Sequence, residues 1–273
     1  MSKGVYKHIS VLELYLRRSI YKILLIILAM AAVEAGLFYW LGLHMPSFDL
    51  AVSKSHLVLP FFAAFLAHFY IVLTSTADRK ASQSQYTLKR LQISERSVVL
   101  CHFVSCIAEL LILWAAQALI LFGFMKLWAG SAHDWPAESF VYGPQGLYLA
   151  FFRSDFLHAI VPLRDGAKLF SDIVLVLSVA AGCAYIEVRS RMQEKRIFAP
   201  ILVMAFAPQL FRTGFTAHFS ETLILSGIEA IFGVYCLCAA LANASDGHNY
   251  EEEDAPSGPS LNVSGKIKEA ANA

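Results

Sequence analysis

The chain has 273 residues, 57% of them apolar and 16% charged, with a formal net charge of +1. Soluble domains carry about 25% charged residues, so this composition excludes an ordinary soluble fold and points to one membrane unit. A near-neutral chain without a basic patch on a soluble scaffold also excludes nucleic-acid binding. The five cysteines, Cys101, Cys106, Cys183, Cys236 and Cys238, all fall in or beside apolar runs. They read as small core residues, because an odd number with no extracellular pairing gives no disulfide framework.

From the N-terminus, residues 1–22 lack the small-residue cleavage site of a signal peptide, and the next apolar run is long enough to stay in the membrane. Val11, Leu14 and Arg18 lie at helical spacing. The expectation is a short interfacial amphipathic helix with Arg17, Arg18 and Lys22 at the headgroups. Apolar runs then predict six spans at about 23–43, 57–75, 98–128, 169–188, 197–211 and 222–242. The first contains Glu34 and ends in Trp40 and His44; the second contains His68; the third contains Glu109 and Gln117. Pro208 predicts a kink in the fifth, and Glu229 lies in the sixth.

Between the second and third spans, residues 78–96 read DRKASQSQYTLKRLQISER, carrying Arg79, Lys80, Lys89, Arg90 and Arg96. Tyr86, Leu88 and Leu91 suit the apolar edge of a short helix, and Ser94 suits an N-cap for the helix that follows. The plainer reading of the segment is a solvated basic connector. Residues 130–168 form the longest non-spanning segment. Leu149, Phe152, Phe156 and Ile160 keep a helical spacing there while Arg153, Asp155 and His158 interrupt it, so the segment lies on the outer surface or dips in and back. Residues 244–273, with an acidic run and scattered Pro, Gly and Ser, read as a disordered cytoplasmic tail. Sixteen of the 22 Lys and Arg residues fall on the side that six spans with both termini inside would make cytoplasmic.

No GxxxxGK[ST], HExxH or GxSxG motif is present, so nothing predicts nucleotide hydrolysis or hydrolase chemistry, and no catalytic or metal-binding residue is assigned. The ionisable groups within apolar runs are the remaining candidates. A carboxylate at mid-bilayer costs about 2.5–3.5 kcal/mol even on the lenient insertion scale, so each should face protein, water or a neighbour. Glu109, eleven residues past Val98, is expected near mid-membrane, with Glu34 and Glu229 toward the outer half. The three are candidates for one outward-opening cavity for a polar or cationic substrate; the alternative is interhelical hydrogen-bonding glue. An intramembrane enzyme using His68, His102 and the buried glutamates is a further reading.

The stretch YTLKRLQISERSVVL, residues 86–100, resembles the first inner loop of ABC-2 type transporter permeases, the membrane subunits of bacterial ABC exporters. The resemblance implies an all-α, six-span fold with both termini cytoplasmic, in the bacterial plasma membrane. It implies that the chain is not itself an enzyme, and that ATP and Mg are bound by a separate ABC ATPase subunit. Leu88, Lys89, Arg90, Leu91 and Glu95 would form the coupling helix that contacts this ATPase, and the permease would dimerise with itself or a homologous chain. The sequence departs from the family in lacking a proline where Ser94 and Glu95 stand, and in placing its longest outer segment between the third and fourth spans. The alternative is a non-transporting scaffold, sensor or immunity protein of similar fold.

Overall fold

The computed structural model describes residues 3–77, 94–131, 154–162, 165–191 and 219–253. All regular structure in them is helical: α1 (Lys3–Leu37) continuing into a π-helical turn (Phe38–Gly42), α2 (Phe48–Lys54), α3 (Val58–Ala77), α4 (Glu95–Ser131), α5 (Asp155–Ile160), α6 (Gly166–Arg191) and α7 (Phe219–Glu253). Among the described residues, four stretches are long and apolar enough to cross a membrane, within His8–Gly42, Glu95–Ser131, Gly166–Ser190 and Thr222–Ala244. A fifth is added if α2 and α3, bent by 53° at their junction, count as one. The chain is a multi-pass membrane protein. Most of 78–96, the span expected at 197–211 and the chain beyond Glu253 lie outside the described residues.

The bundle is apolar outside, and its apolar core encloses a set of polar groups. Leu25, Leu28, Trp40, Leu119 and Ile231 are exposed, whereas Glu34, Glu109, Gln117 and Glu229 are buried. Lipid tails are as apolar as leucine, so expulsion of side chains from water does not hold such helices together; close packing and interhelical hydrogen bonds do.

Side-chain contacts fix the helix directions. α1 and α4 run the same way: Val11 packs on Val98, Tyr15 on His102, Glu34 meets Gln117, and Phe38 stacks on Phe124. α3 runs against α4, since Phe61 meets Trp114 and His68 meets Glu109. α6 also opposes α4, with His102 beside Glu187 near the start of one helix and the end of the other. α6 and α7 run together, from Ser178 beside Glu229 to Tyr185 beside Tyr235. The start of α1, the end of α3, the start of α4 and the ends of α6 and α7 therefore share one end of the bundle, here called basal.

Close approach at two places depends on glycine. A Cβ on Gly42 would sit 2.5 Å from Ser55 Oγ and 3.1 Å from the Ala51 carbonyl, so the π-helical turn packs directly on α2. A Cβ on Gly233 would sit 2.6 Å from Ser178 Oγ and 3.0 Å from Ser178 Cα, at the seam of α6 and α7. Small residues continue this seam through Ala181 and Ala184 with Ala240 and Ala244.

Three elements differ from the sequence expectation. α1 is one uninterrupted helix of 35 residues, with no break at residue 22 between an interfacial helix and a span. At about 1.5 Å per residue it is ~52 Å long, well beyond a ~30 Å hydrocarbon core. Residues 244–253, expected in the tail, continue α7; extending a formed helix is far easier than nucleating one. The predicted second span is preceded by α2, whose N-cap Ser47 accepts from the Leu50 N–H, and by His56 at φ 48°. That left-handed residue, rare outside glycine, breaks the two helices apart. The N-cap expected at Ser94 is present: its Oγ accepts from the Ser97 N–H at 3.4 Å.

Candidate functional site

The ionisable interior is organised along the seam of α1 and α4. At its basal end, His102 Nε2 of α4 lies 2.8 Å from Glu187 Oε2 of α6. The Tyr15 hydroxyl of α1 donates to the other Glu187 oxygen at 3.1 Å, and its ring lies 5.0 Å from the His102 ring. The Cys106 thiol is 3.6 Å from His102 Nε2. One turn further along α1, the Ser19 hydroxyl donates to Glu109 Oε1. Ser105 donates to the same oxygen at 3.3 Å, and His68 Nε2 of α3 lies 3.6 Å from Glu109 Oε2. Four helices thus deliver two imidazoles, two carboxylates and three hydroxyls to one buried region. Eight residues above Glu109 on α4, Gln117 Nε2 donates to Glu34 Oε2 at 3.2 Å.

Burial without full pairing marks these groups. His68 Nδ1, His102 Nδ1, Glu34 Oε1 and Gln117 Oε1 are buried and have no hydrogen-bond partner. A native interior leaves few such atoms, and each calls for an explanation. A second polar group lies along α6 and α7. Lys168 Nζ is 2.6 Å from Asp172 Oδ1, one turn apart on α6. Both carboxylate oxygens of Glu229 are buried without a partner, within electrostatic reach of that pair. The Ser178 hydroxyl donates to the Glu229 backbone carbonyl at 2.7 Å.

No protein family, curated protein or solved structure matches this chain.

Of the residues singled out in the sequence, Glu34 and Glu109 lie on the same seam, where their partners are eight residues (Glu109 to Gln117 on α4) and fifteen residues (Ser19 to Glu34 on α1) apart, about 12 and 22 Å by helical rise. Glu229 lies on a different one, against α6. The described residues thus place the three on two seams. A cavity of about 400 Å3 near the far end is lined by Asp49, Ser53, His56, Ser154 and Phe156 among others, and by none of the glutamates. Glu109 also lies nearer the basal end of the bundle than counting from Val98 suggests, since it bonds Ser19 in the first half of α1. Its partner Ser19 stands between Arg18 and Lys22, and α4 is helical from Glu95 with 37 residues, too long for its apolar start to mark the bilayer. Leu88, Lys89, Arg90 and Leu91 lie outside the described residues; Glu95 opens α4 and is exposed.

Tyr15, Ser19, Ser105 and Glu187 are site residues that the sequence reading passed over. Tyr15 and Ser19 fall in the segment assigned to the membrane surface. Glu187 hides at the edge of an apolar run, two residues before Arg189. Its signal is position: it stands one helical turn beyond Cys183 on a face of buried small residues. Among the described residues no three His, Cys, Asp or Glu side chains converge to hold a metal ion, and all five cysteines are free thiols.

Proposed function

We propose that this chain is the membrane-spanning permease subunit of an ABC-2 type exporter in a bacterial plasma membrane. It works with a separate ATPase subunit that binds ATP and Mg, and pairs with itself or a homologous permease chain. One observation carries this reading. The basal end gathers the start of α1, the two ends flanking 78–93 and the ends of α6 and α7, and the sequence assigns sixteen of 22 Lys and Arg to that side. Such clustering marks a cytoplasmic face and gives a soluble motor one surface on which to push.

The helix directions support six spans with both termini inside. α6 and α7 run the same way, as they would if the fifth span that the sequence expects at 197–211 stood between them in the chain. Nucleotide-driven closure of the ATPases would press on 88–96. α4, capped at Ser94 and packed on α1 and α6, would carry the displacement into the bundle. A change of this kind requires the coupling segment to contact its partner differently in the two states.

The test is purification of the chain from its native membrane, with its co-purifying ATPase identified by mass spectrometry. Leu88→Asp combined with Leu91→Asp should abolish that association while the protein stays in the membrane. Retention by the double variant, or no Walker-A ATPase with the wild type, refutes the coupling role. The separation of Glu229 from Glu34 and Glu109 favours, as the alternative, a non-transporting scaffold, sensor or immunity protein, whose function would be independent of nucleotide.

A further inference from the structure

We propose that the α1–α4 seam is a proton half-channel, leading from the basal end to Glu34 near mid-membrane and closed on the far side by an aromatic plug. Three observations carry it.

The first is the order of the groups. Tyr15, His102 and Glu187 form the basal station; Ser19, His68, Ser105 and Glu109 form the next; Glu34 and Gln117 form the third. The first two stations adjoin on α4, where Cys106 touches His102 Nε2 at 3.6 Å and Ser105, beside it in the chain, donates to Glu109. From Glu109 to Gln117 the rise is ~12 Å. Ile26 and Met30 of α1, which precede Glu34 in the chain, belong to the buried core, and flexible methionine is the side chain best suited to yield to a transient water.

The second observation is that every station keeps an unused buried atom that can exchange a proton or hold a water: His102 Nδ1, His68 Nδ1, and Glu34 Oε1 with Gln117 Oε1. Buried waters bridge such groups. Imidazole suits a relay because it accepts a proton at one ring nitrogen and releases another from the second. A proton arriving on Glu187 passes to His102 Nε2 while the Nδ1 proton leaves to water. Only O–H and N–H bonds break and form; a flip of the imidazole ring then restores the starting tautomer, and one proton moves on per cycle.

The third observation is the plug. Directly beyond Glu34, Phe38 stacks on Phe124 with ring centroids 4.7 Å apart. Phe38 also lies 6.3 Å from Phe48, which lies 6.0 Å from Trp128. All four rings are buried. The three phenylalanine rings carry no exchangeable proton, and the indole N–H of Trp128 is held by the Met45 carbonyl at 3.1 Å, so the relay stops at Glu34.

The experiment removes the plug from the purified full chain in liposomes, with a trapped pH indicator, a trapped inert dye and a potassium diffusion potential. Phe124→Ala should raise the proton leak at least tenfold over wild type without releasing the dye. Adding Glu34→Gln or Glu109→Gln should return the leak to the wild-type level, and adding Glu109→Asp, which keeps the carboxyl, should preserve part of it. The exposed Glu13→Gln should change nothing. Phe38→Ala serves as the second plug variant if Phe124→Ala fails to insert. No leak from either plug variant, or a leak that survives both glutamine substitutions, overturns the proposal. Because no ATPase is present, the outcome is separate from that of the co-purification test.

Discussion

Gly233→Ala isolates the packing of α6 on α7. The added methyl would lie 2.6 Å from Ser178 Oγ, 3.0 Å from Ser178 Cα and 3.1 Å from Ser178 Cβ. The hydroxyl can rotate away, but only by giving up its 2.7 Å bond to the Glu229 carbonyl, worth about 0.5–1.5 kcal/mol. The Cα cannot rotate away, so the helices must separate, and overpacking of this kind costs about 1–3 kcal/mol. Against these stands the helix-propensity gain of alanine over glycine, about 0.8–1 kcal/mol. The net expectation is a loss of about 1–3 kcal/mol. Gly227 on the same helix, with nothing within 4 Å of its Cβ position, provides the control: its alanine variant should be neutral or slightly stabilised. Equilibrium unfolding in mixed micelles, followed by circular dichroism, measures both. Ser178→Gly in the Gly233→Ala background should recover part of the loss. A Gly233→Ala protein as stable as Gly227→Ala would refute the close seam.

The remaining predictions address the polar interior and the start of α4. Gln117→Leu strips Glu34 of its donor and should destabilise by about 1–3 kcal/mol; Glu34→Leu added to it should restore stability, because two matched apolar groups leave nothing unpaired. A double variant as weak as the sum of its parts in the same unfolding assay would contradict the pairing. Tyr15→Phe should cost about 1 kcal/mol in wild type and much less in a Glu187→Gln background, which a double-mutant cycle reads directly. Ser94→Ala should cost about 0.5–2 kcal/mol, with faster amide exchange confined to the first turn of α4; uniform exchange changes would argue against capping.

Helix existence was largely legible in the sequence, because runs of apolar residues at bilayer length have few other uses. Ser94 as a cap was legible for a similarly local reason. Depth and partnership were not. Glu109 reads as mid-membrane only if the apolar run starts at the bilayer, and α4 extends past it. Tyr15 and Ser19 look like surface residues until α1 is known to continue unbroken from the basal end and to lie parallel to α4. Glu34, Glu109 and Glu229 were correctly picked out as buried acids, yet their separation onto two seams depends on helix rotation, which three carboxylates in three runs do not encode. His56 carried no signal for its left-handed backbone, since histidine tolerates that region without requiring it.

α1 continues without a hinge over 35 residues and on into the π-helical turn. About Lys22 as its middle, about 20 residues, ~30 Å, stand on one side and a similar length on the other. A stiff rod pivoted at its middle behaves as a seesaw with equal arms. A sideways nudge of a few ångströms near Lys3 would swing Trp40 by about as much in the opposite sense, so this protein would need no amplifier to make a distant surface feel its first turn.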